Sequence, residues 1–362
     1  MNRRKFLMSS GAAAGGAALS IAGKGALPAS AKSIPQNTEF IVSPDYQAPK
    51  KNESIDWLAE SAVIAYAHTP TIEESYRRYQ PHGLVYQCIF LVAIVMDEEG
   101  NKYNLLRQLK AFDSIVTHAT RSVPDGVTYA QALFGPGEMY MSRTENELIG
   151  NTIEIKPYLA SPDLVSIEFK AQKAHWVDVN GRIDLDYKAL GPALEFYCPG
   201  LHEDNMYRSE PYRVKGRLDG KKVEGFGVID SAWGPAGVDW AQCKIFRYLE
   251  DNWLVWMNEF DDGSVDCGVY MDGLGDFGCG IYNRDGEVIV SGKRPCEVRW
   301  TEDGFLQGST FTVGDVTFEF DMEARVVQAP GYLSWASGTV RRVDEYRTPV
   351  RSLAWLEYLP KR

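Results

Sequence analysis

"VEGFGVIDSAWGP" spans Val223–Pro235. Its first half alternates, so that Val223, Gly225, Gly227 and Ile229 share one side, as on a half-buried strand. A carboxylate, a hydroxyl and an indole then follow within four residues: Asp230, Ser231 and Trp233. Gly234-Pro235 turns the chain away. Such an ending is either a strand rim, with Asp as a cap and Trp covering the end of a core, or the mouth of a ligand pocket. Gly225 and Gly227 remove bulk from one face and leave room for a ligand or for a neighbouring backbone.

The same β pattern recurs outward from this stretch. "GLVYQCIFLVAIVM", "DEEGN" and "KYNLLRQLKAF" read as a hairpin. So do "WLVWMNEF", "DDG", "SVDCGVYM"; "GIYN", "RDG", "EVIVSG"; and "GFLQGSTFTV", "GD", "VTFEFDME". "SLAWLEYL" reads as a closing strand. Helix signals are few, and "IEESYRRY" (Ile72–Tyr79) is the best of them. With 19 Tyr, 15 Phe and 9 Trp and so little helix, a large β-barrel or sandwich is expected. No short repeat period points to a propeller or solenoid. Residues from Lys32 to about Phe40 read as an extended arm. A junction is expected between Pro199 and Lys222, dividing residues 32–210 from 211–362.

The first residues combine a basic start, "MNRRKFLMSS", a weakly apolar Gly/Ala stretch and a small-x-small site at Ala29–Ala31. This resembles a twin-arginine export signal over residues 1–31, carried by Arg3 and Arg4, with the mature chain starting at Lys32. The expected location is periplasmic or secreted, reached through the twin-arginine machinery. Without Arg3, Arg4, Lys5 and Lys24 the chain keeps 34 basic and 49 acidic side chains, a net charge of −15. That balance disfavours nucleic acid and anionic membranes as partners. No stretch is long and apolar enough for a permanent membrane span. Six cysteines occur without a CxxC pair, and mostly free, buried thiols are expected.

Several chemistries lack their signatures. "GLGDFG" (Gly273–Gly278) matches GxGxxG, but strand-like sequence follows it and no helix N-terminus is available for a phosphate. There is no GxSxG elbow and no HExxH. The five histidines have no metal-ligand spacing, so no metal and no cofactor are expected. His202, in the expected junction, could still line a site. Two further stretches hold polar and aromatic residues. In "DCGVYMDG", Asp266, Gly268, Tyr270 and Asp272 share a face, with Cys267, Val269 and Met271 on the other. In "WLVWMNEF", Leu254, Trp256, Asn258 and Phe260 oppose Trp253, Val255, Met257 and Glu259. Aromatic walls with a few fixed polar groups are how apolar ligands are held.

"YRSEPYRVKGRLDGKKVEGFGVIDSAWG" resembles the signature of the lipocalin-like hydratase family. That group contains carotenoid 1,2-hydratase (hydroxyneurosporene synthase), kievitone hydratase and the AttH-like proteins. The shared pattern V-x-G-x-x-x-x-D-x-x-W-G is met by Val223, Gly225, Asp230, Trp233 and Gly234, and "SLAWLEYL" is similar to the closing strand. The resemblance runs from Tyr207 to the C-terminus. It implies an all-β fold of two tandem lipocalin-like antiparallel β-barrel or sandwich domains, with the pocket between or within them. It also implies catalysis without metal or nucleotide. The implicated positions fall on Ser231, Trp233, Tyr270 and Asp272. Ser231 stands where relatives often carry His, and the gap from Trp233 to Tyr270 is longer than in the carotenoid enzyme.

Adding water to an unactivated C=C needs a proton donor and a cation-tolerant wall. A carboxyl in an apolar pocket donates at neutral pH, and aromatic faces stabilise cations by ~1–2 kcal/mol each when desolvated. Asp230 or Asp272 as acid, Tyr270 as relay, Trp233 and Trp256 as walls, and Tyr207 and Ser231 as substrate contacts would supply these roles. Asp230, Trp233, Tyr270 and Asp272 are therefore expected around one pocket. Two functions remain open: a cofactor-independent lyase or isomerase acting on an apolar terpenoid, steroid or polyketide-like molecule, and a periplasmic carrier of such a molecule.

Overall fold

The computed structural model describes residues 41–42, 63–110, 113–134, 142–157, 165–199, 204–238, 252–273, 277–327 and 334–358. The export signal, the arm, His202 and Cys243 lie outside them. The described chain is almost wholly β, and every strand pairing is antiparallel.

The first sheet has fourteen strands. They are β1 (Ile41–Val42), β2 (Ile64–His68), β3 (Val85–Asp97), β4 (Lys102–Lys110), β5 (Asp113–Arg121), β6 (Gln131–Ala132) and β7 (Ser142–Ile149). There follow β8 (Thr152–Pro157), β9 (Ser166–Lys170), β10 (Lys173–Asp178), β11 (Ile183–Ala189), β12 (Ala193–Cys198), β13 (Asn205–Leu218) and β14 (Lys221–Gly234). β13 pairs with β11 and β12 on one side and β14 on the other, while β14 also pairs with β3. The sheet therefore closes into a barrel running β13, β11, β10, β9, β8, β7, β5, β4, β3, β14. β12, β2 and β1 branch off the first half of β13.

The second sheet has nine strands: β15 (Asn252–Glu259), β16 (Val265–Asp272), β17 (Gly278–Arg284), β18 (Glu287–Gly292), β19 (Glu297–Trp300), β20 (Leu306–Val313), β21 (Val316–Val327), β22 (Ser334–Arg342) and β23 (Arg351–Tyr358). The four expected hairpins are β3–β4, β15–β16, β17–β18 and β20–β21, and β23 is the expected closing strand. A strand, β17, begins at Gly278 of the GxGxxG match.

Alternation sorts the side chains into three apolar layers. One fills the barrel, with Leu91, Trp176, Leu185, Val214, Ile229 and Trp233 among its members. A second lies between the barrel's outer wall and the second sheet, where Val92, Phe226 and Val228 meet Val255, Val269 and Trp355. The third is the concave side of the second sheet, with Trp256, Tyr270, Phe311 and Phe318. Cys88, Cys198, Cys267 and Cys279 are free and buried, and Cys296 is free and half-buried.

Two expectations change. The division at residues 210/211 falls inside β13, because the β13–β14 hairpin is an integral wall of the barrel; the change of sheet comes after Gly234. Ile72–Tyr79 forms turns rather than a helix. Its first turn is started reciprocally, Thr71 N–H donating to Glu74 (2.9 Å) and Glu74 N–H to the Thr71 hydroxyl (3.3 Å). Arg208 then donates to the Glu74 carbonyl (3.2 Å), an acceptor that further helix would need. The segment from residue 69 to 84 instead packs Ile72, Tyr76, Tyr79 and Leu84 onto the barrel interior as a cap.

Candidate functional site

The structure divides the sequence-predicted residues among the three layers. Asp230 points out of the barrel into the layer facing the second sheet, with Phe226, Val228 and Ala232 of the same strand face. The Tyr207 hydroxyl donates to its carboxylate at 2.9 Å, and Ser209 lies opposite it across the β13–β14 pair. Burial pushes the Asp230 carboxyl up to about 7, with Ser209 and Tyr207 resisting. Burial and Asp230 drive the Tyr207 phenol well above its ordinary value.

Ser231 and Trp233 point the other way, into the barrel. A bulge in the β14–β3 pairing adds Gln87 to β3 and turns Tyr86 inward. Tyr86 (6.3 Å) and Tyr79 (6.1 Å) both meet the Trp233 ring edge-on. Trp256 and Tyr270 lie on the concave side of the second sheet, where each packs on Phe311. Asp272, at the end of the same strand face, pairs with Lys293 at 3.0 Å. Asp266, also on that face, takes a hydrogen bond from Asn258 (2.8 Å), and burial pushes it up to about 6. Asp230, Trp233, Tyr270 and Asp272 thus do not approach one pocket, because residues two apart on a strand share a face and residues one or three apart do not.

Around Ser231 and Trp233 stands a polar group that the sequence reading passed over. The pairing registers place Tyr66, Glu195, Arg208, Ser231 and Ile89 in one row across five strands. The next row on the same wall holds Glu210 opposite Ile229. Arg208 is fully buried, donates from Nε to Glu195, and lies with its guanidinium 5.1 Å from the Trp233 ring centre. Glu210 is buried and accepts from the Tyr212 hydroxyl at 2.7 Å. Burial raises the Glu210 carboxyl above its ordinary range, although Arg208 and Tyr212 oppose the shift.

The cap completes the group. His68 Nε2 sits 3.0 Å from the Glu74 carboxylate. Burial alone would raise Glu74, but the His68 contact and the Thr71 amide outweigh it and hold the carboxyl at about 2. Burial lowers the His68 imidazole, but the Glu74 hydrogen bond and the charges of Glu195 and Glu74 together raise it above its ordinary value. A narrow cleft of about 10 Å³, room for one water, lies between cap and wall, lined by Ile72, Ser75, Phe169, Glu210, Tyr212 and Ser231. Asp230 does not line it. Glu74 is thus held below its ordinary range and Glu210 above it, so the two acids sit in contrasting environments. Among the described residues no cluster of His, Cys, Asp or Glu is placed to hold a metal ion. No helix of the described chain is long and apolar enough to cross a membrane.

The signal for Arg208 and Glu210 was present in "YRSEPY". Both alternate with Met206 and Tyr212 on what is otherwise an apolar strand face, and a charged residue there is costly unless paired or functional. Reading residues 199–222 as a junction hid that alternation.

No family model matches the chain, and no curated protein matches it. Among solved structures, a Nitrosomonas europaea protein provisionally assigned as AttH is similar with 12% identity, covering 79% of this chain and 93% of that one at a TM-score of 0.44. Kievitone hydratase from Nectria haematococca is similar with 10% identity, covering 76% and 90% at a TM-score of 0.34. Both belong to the group that the β13–β14 sequence resembles. The identities and TM-scores are low, and the functional reading rests on the residues themselves.

Proposed function

We propose that the chain is a cofactor-independent lyase or isomerase of the hydratase–dehydratase kind, and that its reaction takes place under the cap of the first barrel. The substrate class is an apolar terpenoid, steroid or polyketide-like molecule, which the cleft admits only when the cap lifts from the wall. The observation that carries the reading is Glu210. It is a buried carboxyl with its pKa raised by burial, bonded to a phenol, at the edge of a cleft that sets Ile72, Phe169 and Ile229 beside the polar Ser75, Lys170 and Ser231. A carboxyl whose pKa is raised by burial is suited to act as a general acid. Phe169 and Tyr212 present rings to a developing cation, whereas the Trp233 ring already faces Arg208. Ser231, on the same wall, is positioned to hold water, and Tyr212 steadies the Glu210 carboxylate left after proton transfer. Asp230 has a fitting pKa, but it faces a packed layer rather than this cleft.

The test is to incubate the purified protein with an apolar extract of its source and follow products by mass, for gain or loss of one water, and by retention, for isomers. Turnover is expected in wild type, Asp230→Asn and Asp272→Asn. A fall of at least 100-fold is expected in Glu210→Gln, in line with the loss of a general acid. Full turnover in Glu210→Gln would move the acid elsewhere. Ligand retention without any product in wild type would replace the enzyme by a carrier. The same reading takes the chain to be exported by the twin-arginine route, so changing both Arg3 and Arg4 to Lys should leave precursor in the cytoplasm. Normal export of that variant would refute the route.

A further inference from the structure

On the outer face of the barrel, four cations stand directly opposite one another on four adjacent strands. The registers pair Lys170 with Lys173, Lys173 with Lys188, and Lys188 with Arg213. At about 4.8 Å between strands, the row is ~14 Å long. It lies in an open groove of about 400 Å³ whose lining also includes Glu168, His175, Asp186 and Lys215. Like charges directly opposite on a sheet repel and destabilise it. The neighbouring row behaves differently: His175, Asp186, Lys215 and Glu224 follow in register, and Lys215 bonds Glu224 at 3.0 Å.

The ends of the cationic row are partly answered. Arg213 bonds Glu259 at 2.7 Å, and Lys170 lies 3.7 Å from Glu168. The centre is not: Lys173 and Lys188 are exposed, and neither forms an ion pair among the described residues. Acids also face each other in this sheet, at Glu147, Glu154 and Glu168, and there Glu154 and Glu168 each have a lysine of their own strand beside them, Lys156 and Lys170. The facing Lys173 and Lys188 are flanked by two more cations, which puts four in one row in a chain of net charge −11.

We propose that this groove is a binding site for a short, linear condensed-phosphate anion, seated on Lys173 and Lys188 and flanked by Lys170 and Arg213. Lysine ammonium groups bind phosphate as point charges, and several anionic groups on one chain answer a row of cations better than separate small ions. The groove's concavity disfavours a flat membrane surface. Tyr187 is buried with its ring inside the barrel, and the one half-exposed ring of the lining, the His175 imidazole, is held by Asp184 at 2.8 Å, so no phenol or indole face is offered to a sugar or nucleobase. The site is on the barrel's outside, and of its four cations only Lys170 also lines the cleft under the cap.

The test is calorimetric titration of the whole protein with sodium tripolyphosphate at low ionic strength. Saturable 1:1 binding is expected, weakening as salt is raised. Lys173→Gln/Lys188→Gln should weaken it at least tenfold. Lys222→Gln, an exposed lysine outside the groove, should leave it unchanged. Tripolyphosphate should also raise the Tm of wild type and not that of the double variant. ATP should bind no more tightly than tripolyphosphate. Absence of saturable binding, equal weakening by Lys222→Gln, or tighter binding of an oligogalacturonate would overturn the proposal.

Discussion

Asp230 shows how one side chain can be chemically suited to a task and placed away from it. Its carboxyl is held near 7 by burial in the layer between the barrel and the second sheet. The sign of the consequence follows from linkage. The folded state holds the proton to a higher pH than the unfolded chain does, so the stabilisation is full below about pH 4 and is lost as pH rises to about 7. At about 1.4 kcal/mol per pH unit, the loss sums to roughly 4 kcal/mol. Asp230→Asn keeps an acceptor for Tyr207 and has no proton to lose. The stability difference between wild type and Asp230→Asn, measured by urea unfolding, should therefore shift towards the variant between pH 4 and pH 7. A difference that stays flat across that window would show that the carboxyl is not buried in solution as it is here. The residues that bear charge were legible in the sequence, but their neighbours were not. Alternation already set Asp230 and Trp233 on opposite faces, yet only the pairing of β13 with β12 and β14 brings Glu195, Arg208 and Ser231 into one row.

At the scale of the element, β14 answers the question raised by its two glycines. Protein atoms fill the space opposite Gly227. A Cβ there would come within 2.3 Å of the Val92 carbonyl oxygen and 2.9 Å of the Tyr187 ring and Val214. The strand is glycine-rich because β3 and the β11–β13 wall approach it closely. Gly227→Ala should cost about 1–3 kcal/mol, the range for overpacking a filled core, read as a lower urea midpoint at unchanged slope. An unaltered midpoint would mean that the strand yields readily. The existence of the strands was readable because period-two alternation and Gly/Asp turns are local signals. The bulge that turns Tyr86 towards Trp233 was not, since one extra residue on β3 leaves the pattern of β14 untouched. The cap was misread for a similar reason. "IEESYRRY" carries a helical signature, and a distant guanidinium, Arg208, takes the carbonyl that would have continued it.

At the scale of the whole molecule, the two sheets are joined by a shared apolar layer, and the expected domain boundary missed it because such a layer leaves no mark on local sequence. The outer faces of β3, β12 and β14 and the facing side of β15, β16 and β23 are each apolar, and each would meet water without the other. The two sheets should therefore unfold together although the chain is long enough for two domains. Trp355 provides the measurement. It is fully buried in that layer, packed against Trp335 at 5.7 Å, with His118 edge-on at 6.5 Å. Trp355→Ala should cost about 3–5 kcal/mol, as for other large aromatic truncations in a core. If the layer couples the sheets, calorimetry should show one transition in wild type and one, at lower temperature, in the variant. Far-ultraviolet and near-ultraviolet circular dichroism should move with it. A second transition left at the wild-type temperature in Trp355→Ala would mean that the closed barrel holds its fold without the second sheet. The cap and its cleft would then have to be understood as belonging to the barrel alone.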